Sequence, residues 1–281
     1  MSAPSQGKVK EVTSTSNPII KSIKALAQKK HRDSDGLFLV EGYKLVTDAM
    51  IAGWEVRTLI YSRELLKHPK LGPMISDAAA KVRAQGGDIL QVNDKILTSI
   101  TRRENAQSVV AVIRQSYGDL KKLSPQTEDV YIALDRVRDP GNLGTIVRTS
   151  DALGAKGVIL IDTCTDPFAL EAVRATMGSL FHVPLYRTDT AHFIEFVSRL
   201  REEHGGHCVG THLEGSVDHR QIKYSGRPTI LLMGNEQQGL TAELAEGCDE
   251  LARIAMAGQA DSLNLAIATS IMLFEARRHI L

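Results

Sequence analysis

YIALDRVRDPGNLGTIVRTSDALGAKGVILID (131–162) begins and ends on short apolar runs, YIALD (131–135) and GVILID (157–162), with a helical pattern from Leu143 to Leu153 between them. Apolar runs this short are strand-length, and a helix joining two of them is the crossover that parallel strands require. The alternation continues through HVPLY (182–186), HCVGTHL (207–213), TILLMG (229–234) and ELARIAM (250–256), with helical patterns at 168–174, 191–203, 242–245 and 263–279. The predicted fold class is α/β, with a C-terminal, mostly parallel sheet and helices on both of its faces. Ligands of such sheets bind beyond the carboxyl ends of the strands, so the loops after these runs are where chemistry is expected.

Upstream, LFLVEG (37–42), WEVRTLIYS (54–62), DILQV (88–92) and SVVAVIR (108–114) alternate with helical patterns at 43–51, 74–84 and 94–100, a smaller α/β unit. An amphipathic helix is expected from Pro18 to His31, its apolar row formed by Ile19, Ile20, Ile23, Leu26 and Ala27 and its start capped by Ser16 or Asn17. SYGDLKKLSPQTED (116–129) is polar, with Gly, Pro, Ser and Lys, as linkers are. The expected organisation is therefore an N-terminal domain over 1–117, a linker over 118–127 and a C-terminal domain over 128–281.

At 281 residues, 43% hydrophobic and 24% charged, the chain can bury one large core or two modest ones, which excludes a disordered or fibrous protein. No stretch approaches the ~20 apolar residues of a membrane span and MSAPSQGKVKEVTSTSNP has no secretory apolar region, so cytoplasm is the expectation. Cys164, Cys208 and Cys248 form no CxxC pair, and HGGHC (204–208) lacks a second ligand pair, so neither disulfides nor a metal are expected. The net charge is only +1, yet residues 1–32 carry seven basic side chains against the single acid Glu11. That imbalance points to a polyanionic partner, with a solvated helix face as the plainer alternative.

Three loops are candidate sites. In the first, Gly141 and Gly144 precede a helix, and Asp162 follows on the next strand, which invites a dinucleotide-binding reading and a nicotinamide-dependent oxidoreductase. The spacing is Gly-x-x-Gly, however, not the Gly-x-Gly-x-x-Gly of that turn. Asn142 and Arg148 remain to be explained, and by themselves fit loop hydrogen bonding and an exposed helical arginine more readily than a site. In LLMGNEQQGLT (231–241), Glu236 stands at a strand's carboxyl end, where a carboxylate can orient a hydroxyl or simply be a turn acid. In RIAMAGQADSLNLAIATSIMLFEARR (253–278), Ser262 can cap a long helix whose expected buried stripe is Leu263, Ala266, Ile267, Ser270, Ile271 and Phe274. Asn264, a polar amide in its first turn, needs a structural partner or a substrate.

Taken in order, NLGTIVRTSDALG (142–154), LLMGNEQQGL (231–240) and IAMAGQADSLNLAIATSIMLFE (254–275) resemble the three motifs of the SpoU (TrmH-like) family of RNA ribose methyltransferases, in the SPOUT superfamily. VTSTSNPIIKSIKALAQKKHRDSDGLFLVEGYKLV (12–46) is similar to the substrate-binding domain that precedes the catalytic domain in many members. The resemblance implies S-adenosylmethionine-dependent methylation of a ribose 2′-hydroxyl by a domain tied in a deep trefoil knot, an exception to the rule against knots. It implies that Thr211 in GTHLEG (210–215), Gly234, Ile254, Met256 and Leu263 hold the cofactor, largely through backbone, and that Asn142, Arg148, Glu236, Ser262 and Asn264 serve the chemistry. A guanidinium is too weak an acid to serve readily as a general base. Arg148 is therefore assigned to the phosphate beside the target ribose and the developing alkoxide, with Glu236 and Asn264 orienting it.

Lys21, Lys24, Lys29, Lys30, Arg32, Lys44, Arg102 and Arg103 become the RNA-binding candidates, with solvated surface as the alternative. The resemblance places ribosomal RNA ahead of transfer RNA as substrate and implies a homodimer through the C-terminal domain, so that a second subunit completes the RNA site. The contrasting class is a noncatalytic RNA-binding or ribosome-assembly factor on the same fold, disfavoured because Asn142, Arg148, Glu236 and Asn264 are all present. The sequence departs from the family pattern at Ala255, where proline is usual, and at Leu265-Ala266, where valine and serine are common, which bears on cofactor affinity more than on reaction type.

Overall fold

A computed structural model describes residues 6–102, 109–213, 215 and 217–281, and the chain divides into two compact units. The first comprises Met1–Gln115 and Phe168–Phe181, the second Ser116–Pro167 and His182–Leu281.

In the first unit the elements run β1 (Val9–Val12), α1 (Pro18–Ala25), α2 (Lys29–Asp35), β2 (Leu37–Glu41), α3 (Tyr43–Ile51), β3 (Val56–Ser62), α4 (Leu71–Ala84), β4 (Asp88–Val92), α5 (Asp94–Thr101) and β5 (Val109–Arg114). The sheet order is β1-β4-β3-β5-β2, with β1, β4 and β3 parallel and β5 antiparallel to both its neighbours. Asn17 Oδ1 accepts the Ile19 amide at 2.9 Å and Pro18 opens α1, as the capping pattern predicts. The single helix expected over 18–31 is two, because Gln28 is extended and QKKHRDSD carries no apolar row onward. Arg32 holds α2 in place: its side chain is interior, 5% exposed, and donates from Nη1 to the Leu26 carbonyl at 2.8 Å. It is a structural arginine, a correction to its place among the RNA-binding candidates.

The second unit begins earlier than the expected linker allows. Gly118 donates to the Leu185 carbonyl at 2.8 Å, and the Arg199 guanidinium donates to the carbonyls of Leu120, Lys121 and Leu123 at 2.9, 2.7 and 3.1 Å. Residues 118–123 are thus bonded into this unit, since a polar segment can satisfy its carbonyls with a half-buried arginine as well as with water. The elements continue as β6 (Val130–Asp135), α6 (Pro140–Ala152), β7 (Gly157–Ile161), α7 (Leu170–Ala175), β8 (Leu185–Thr188), α8 (Thr190–His204), β9 (His207–Thr211), β10 (Val217–Asp218), β11 (Thr229–Met233), α9 (Ala242–Glu246), β12 (Glu250–Arg253) and α10 (Leu265–Arg277).

Seven strands in the order β10-β12-β9-β11-β6-β7-β8 form the sheet, every neighbouring pair parallel. Tyr131, Ala133, Ile159, Ile161, Ile230 and Leu232 pack on Phe193, Phe196, Val197 and Leu200 of α8 and Leu244 of α9. Because side chains alternate along a strand, the intervening residues face the other way, where α10 lies along α6 and against β11 and β6. Among the described residues no helix is long and apolar enough to cross a membrane.

Two differences from expectation have clear causes. The buried stripe of α10 is Leu265, Ala266, Thr269, Met272, Leu273 and Ala276, whereas Ile267 and Phe274 are 51% and 52% exposed. A helix apolar nearly all round does not reveal by periodicity which side faces the core. The second is α7, which leaves the strand-to-strand path after β7 and belongs to the first unit. The Phe168 ring is fully buried 4.7 Å from that of Phe38, Trp54 donates from Nε1 to the Phe181 carbonyl at 3.2 Å, and Arg174 donates from Nε to the buried Glu41 carboxylate at 3.0 Å.

His207, at the start of β9, is buried with neither ring nitrogen hydrogen-bonded among the described residues. Burial, reinforced by the nearby Arg227 charge, pushes its pKa down to about 4. The unfolded chain therefore takes up this proton near pH 6.5 and the folded chain only near pH 4. Stability should fall by about 3 kcal/mol as pH drops through that window, then level off. Urea midpoints at pH 7, 5.5 and 4 should show that part of the decline missing in His207→Leu; an unchanged slope would sink the assignment.

Candidate functional site

Three polar side chains meet past the carboxyl ends of β6 and β11. Asp139 Oδ1 accepts the Asn142 amide at 2.6 Å and Pro140 opens α6, which sets Asn142 in the helix's first turn. Asn264, not Ser262, caps α10: its Oδ1 accepts the amides of Ala266 and Ile267 at 2.9 and 3.3 Å. With that oxygen engaged, the Asn264 amide nitrogen points outward as a donor, and Nδ2 reaches Asn142 Oδ1 at 3.0 Å. The orientation of Asn142 follows, and its Nδ2 donates to Glu236 Oε1 at 3.3 Å. The result is a directional chain, Asn264 to Asn142 to Glu236, ending on an exposed carboxylate.

The loop carrying Glu236 is tightly built. Gly234 leaves no room for a side chain, since a Cβ there would lie 2.5 Å from Gly239 and Leu240 backbone atoms. Asn235 and Gly239 exchange backbone hydrogen bonds at 3.0 and 2.9 Å, and Asn235 Oδ1 accepts the amides of Gln237 and Gln238 at 2.9 and 3.2 Å. Asn235 Nδ2 donates to the Arg136 carbonyl at 2.8 Å. Arg136 pairs in two-pronged fashion with Asp135, Nε and Nη2 to the two carboxylate oxygens at 2.8 and 2.9 Å, and its Nη1 reaches Gln238 Oε1 at 3.1 Å. The Asp135 hydrogen bond holds the Arg136 guanidinium above its ordinary pKa. Asn235 and Arg136 escape sequence reasoning: Asn235 sits inside a recognised motif as an ordinary loop polar residue, and nothing local marks Arg136.

Arg148 stands apart. It lies six residues beyond Asn142, about 9 Å along the axis of α6, and is exposed with no hydrogen bond or ion pair among the described residues. Glu236 and Asn264 converge on Asn142, not on Arg148 as expected from sequence. Ser262 is exposed and likewise unbonded among the described residues. Asp162, required by the dinucleotide reading, is spent on α8, accepting from Thr190 N and Oγ1 at 3.1 and 2.6 Å.

Thr211, Gly234, Ile254, Met256 and Leu263 lie at or beyond the carboxyl ends of β9, β11 and β12, with Leu263 at the entry to α10. The Thr211 hydroxyl donates to the Leu232 carbonyl at 3.2 Å. From Ile254 to Leu263 the backbone makes no hydrogen bond to other described residues, Ile254 and Leu263 are half-buried, and Met256 is exposed. In the first unit Lys21, Lys29, Lys30, Lys44 and Arg102 are exposed and Lys24 is half-buried. Lys44 also pairs with Asp48 at 2.6 Å. Arg103 lies outside the described residues. Among the described residues no three His, Cys, Asp or Glu side chains gather as metal ligands would.

Comparison with known proteins gives the family of both parts of the chain. Residues 129–274 match the SpoU rRNA Methylase family and residues 17–111 the MRM3-like substrate binding domain. The chain is 34% identical over 257 residues to a 23S rRNA (uridine(2479)-2′-O)-methyltransferase of Streptomyces viridochromogenes, covering 90% of this chain and 86% of that one. It is 30% identical over 269 residues to the 23S rRNA (guanosine(2553)-2′-O)-methyltransferase RlmP of Bacillus subtilis, covering 96% and 100%. Among solved structures, an AdoMet-bound rRNA methyltransferase from Sinorhizobium meliloti superposes with a TM-score of 0.90 at 55% identity, covering 97% of this chain and 99% of that one.

Proposed function

Because the chain belongs to the SpoU rRNA methylase family, we propose that it methylates a ribose 2′-hydroxyl of ribosomal RNA with S-adenosylmethionine, and that the Asn264–Asn142–Glu236 chain is the centre of that site. The hydrogen-bonded chain itself is the observation that carries the assignment of roles. Two motifs supply helix starts and the third a strand-end loop, and their polar ends meet on one amide. The noncatalytic alternative is disfavoured because Asn142, Arg148, Glu236 and Asn264 are all present.

The residues present fit the cofactor. The backbone from Ile254 to Leu263, without a hydrogen-bond partner among the described residues, offers N–H and C=O groups to a purine edge, and half-buried Ile254 and Leu263 offer it apolar walls. Thr211 and Gly234 border the same strand ends. When bound, S-adenosylmethionine supplies an electrophilic methyl group on a sulfonium. The chain's own work is positioning: Glu236, held by Asn142, accepts a hydrogen bond from the ribose hydroxyl and fixes its direction of attack. Arg148, exposed and without an ion pair among the described residues, takes the phosphate beside that ribose and steadies negative charge developing on its oxygen.

The two relatives act, by their names, on a uridine and a guanosine, so base choice belongs outside this relay. RNA binding we assign to the first unit, whose exposed Lys21, Lys29, Lys30 and Arg102 suit an RNA backbone. Ribosomal RNA rather than transfer RNA is favoured by both named relatives. A homodimer through the second unit is favoured by the exposed Ile267 and Phe274 of α10, and a second copy would complete the RNA site around Arg148. The knot is favoured by strand order: β12 lies between β9 and β10, strands already joined through residues 212–216. The cytoplasm, where bacterial ribosomal RNA is found, is the compartment this substrate implies.

The test is incubation with methyl-labelled S-adenosylmethionine and total RNA from a strain lacking the gene, then nuclease mapping. Label in a 2′-O-methyl nucleotide at one ribosomal RNA position is the expected result. Label confined to transfer RNA would overturn the substrate, and absence of both cofactor binding and label would overturn the reaction.

A further inference from the structure

We infer that Arg136 is a positioning residue for Glu236, acting through the loop that carries it; this rests on the methyl-transfer reading above. Arg136 has φ +48°, in the left-handed region where a long side chain is uncommon. Glycine or asparagine would occupy that backbone with less strain, so the side chain is what the position keeps. An ion pair with the adjacent Asp135 alone would be a local matter. Instead Arg136 holds the β11 loop from two sides: its Nη1 bonds Gln238 Oε1 at 3.1 Å, and its carbonyl accepts Asn235 Nδ2 at 2.8 Å.

Asp135 locks this clamp from beneath, its side chain fully buried and both its oxygens bonded to the guanidinium. Within Asn235–Gly239 the backbone is closed on itself and Gln238 is held, which leaves Glu236 projecting toward Asn142. Asn142 in turn sits on α6, whose cap Asp139 follows Arg136 by only three residues. Arg136 therefore ties together the two segments whose separation sets the Asn142–Glu236 distance. A bond of 3.3 Å tolerates little added distance before it is lost.

The test is a double-mutant cycle in single-turnover assays with labelled S-adenosylmethionine and ribosomal RNA. Asp135→Asn with Arg136→Asn keeps a residue tolerant of positive φ and leaves no unpaired buried carboxylate. In the otherwise unaltered enzyme this pair should slow methyl transfer about tenfold with cofactor affinity unchanged. In a Glu236→Gln background it should cause no further loss, because the group being positioned is already gone. An equal tenfold loss in that background, or no loss in the first, overturns the inference. Should the pair fail to fold by circular dichroism, Gln238→Ala, an exposed site, replaces it and must show the same dependence on Glu236. Absence of methyl transfer by the unaltered protein would overturn the methyltransferase reading itself, a result distinct from additive losses in an active enzyme.

Discussion

Asn142→Ala should lower the rate of methyl transfer by about 10²–10³, the loss typical of removing one preorganised donor in an active site. Asn142 is the only member of the relay that touches both others, accepting from Asn264 at 3.0 Å and donating to Glu236 at 3.3 Å. Without it the Glu236 carboxylate loses its positioned donor and Asn264 Nδ2 its acceptor. Stability should change little, since Asn142 is only half-buried and its backbone bond to Asp139 survives the substitution. Asn264→Asp supplies the control. It keeps the cap oxygen of α10, whose loss would cost about 1 kcal/mol, but deletes the donor to Asn142. It should therefore slow transfer while melting as the wild type does. Rates on ribosomal RNA, cofactor titration and thermal melts together decide the matter, and an Asn142→Ala enzyme within threefold of wild type would remove the relay from the mechanism.

The second large effect concerns folding. Phe168→Ala should destabilise the first unit by about 3–5 kcal/mol, a large share of the roughly 5–15 kcal/mol that a domain has. Phe168 is fully buried against Phe38, and Trp54 packs edge-on to Phe181 with ring centroids 5.5 Å apart. The same segment brings Arg174 to the buried Glu41 carboxylate, an ion pair that the rest of the first unit cannot make without it. A fragment ending at Gln115 should thus fail to melt cooperatively, and addition of a 168–181 peptide should restore the transition. Trp54 is the chain's single tryptophan, so its emission reports the result directly. A fragment of residues 1–115 with blue-shifted emission and a sharp melt would show that the insertion is dispensable.

Substitutions in these two regions are read by different assays because the sequence shows them with different clarity. The Asn142, Glu236 and Asn264 motifs are visible as polar residues at abrupt ends of apolar runs, each beside glycine or a helix start. Their meeting is not visible, since 122 residues separate Asn142 from Asn264 and 94 separate it from Glu236. Arg32 shows the opposite failure: in sequence it is one more cation of a basic segment, and only the fold sends its guanidinium inward to the Leu26 carbonyl. Arg136 is unreadable for a third reason, because its role depends on a backbone angle and on a loop about a hundred residues away.

Local chemistry was enough to determine the alternation of strands and helices, the parallel character of the larger sheet, the Asn17–Pro18 start of α1 and the identity of the three motifs. Each depends on side-chain periodicity, propensity or capping within a few residues, which a linear sequence carries in full. Tertiary structure alone decided which face of α10 is buried, that Asn264 rather than Ser262 begins that helix, that Phe168–Phe181 completes the first core, and that Asn142 rather than Arg148 joins the relay. Those outcomes are settled by which distant surfaces compete for the same apolar side chain or the same amide, and that competition exists only once the chain has folded.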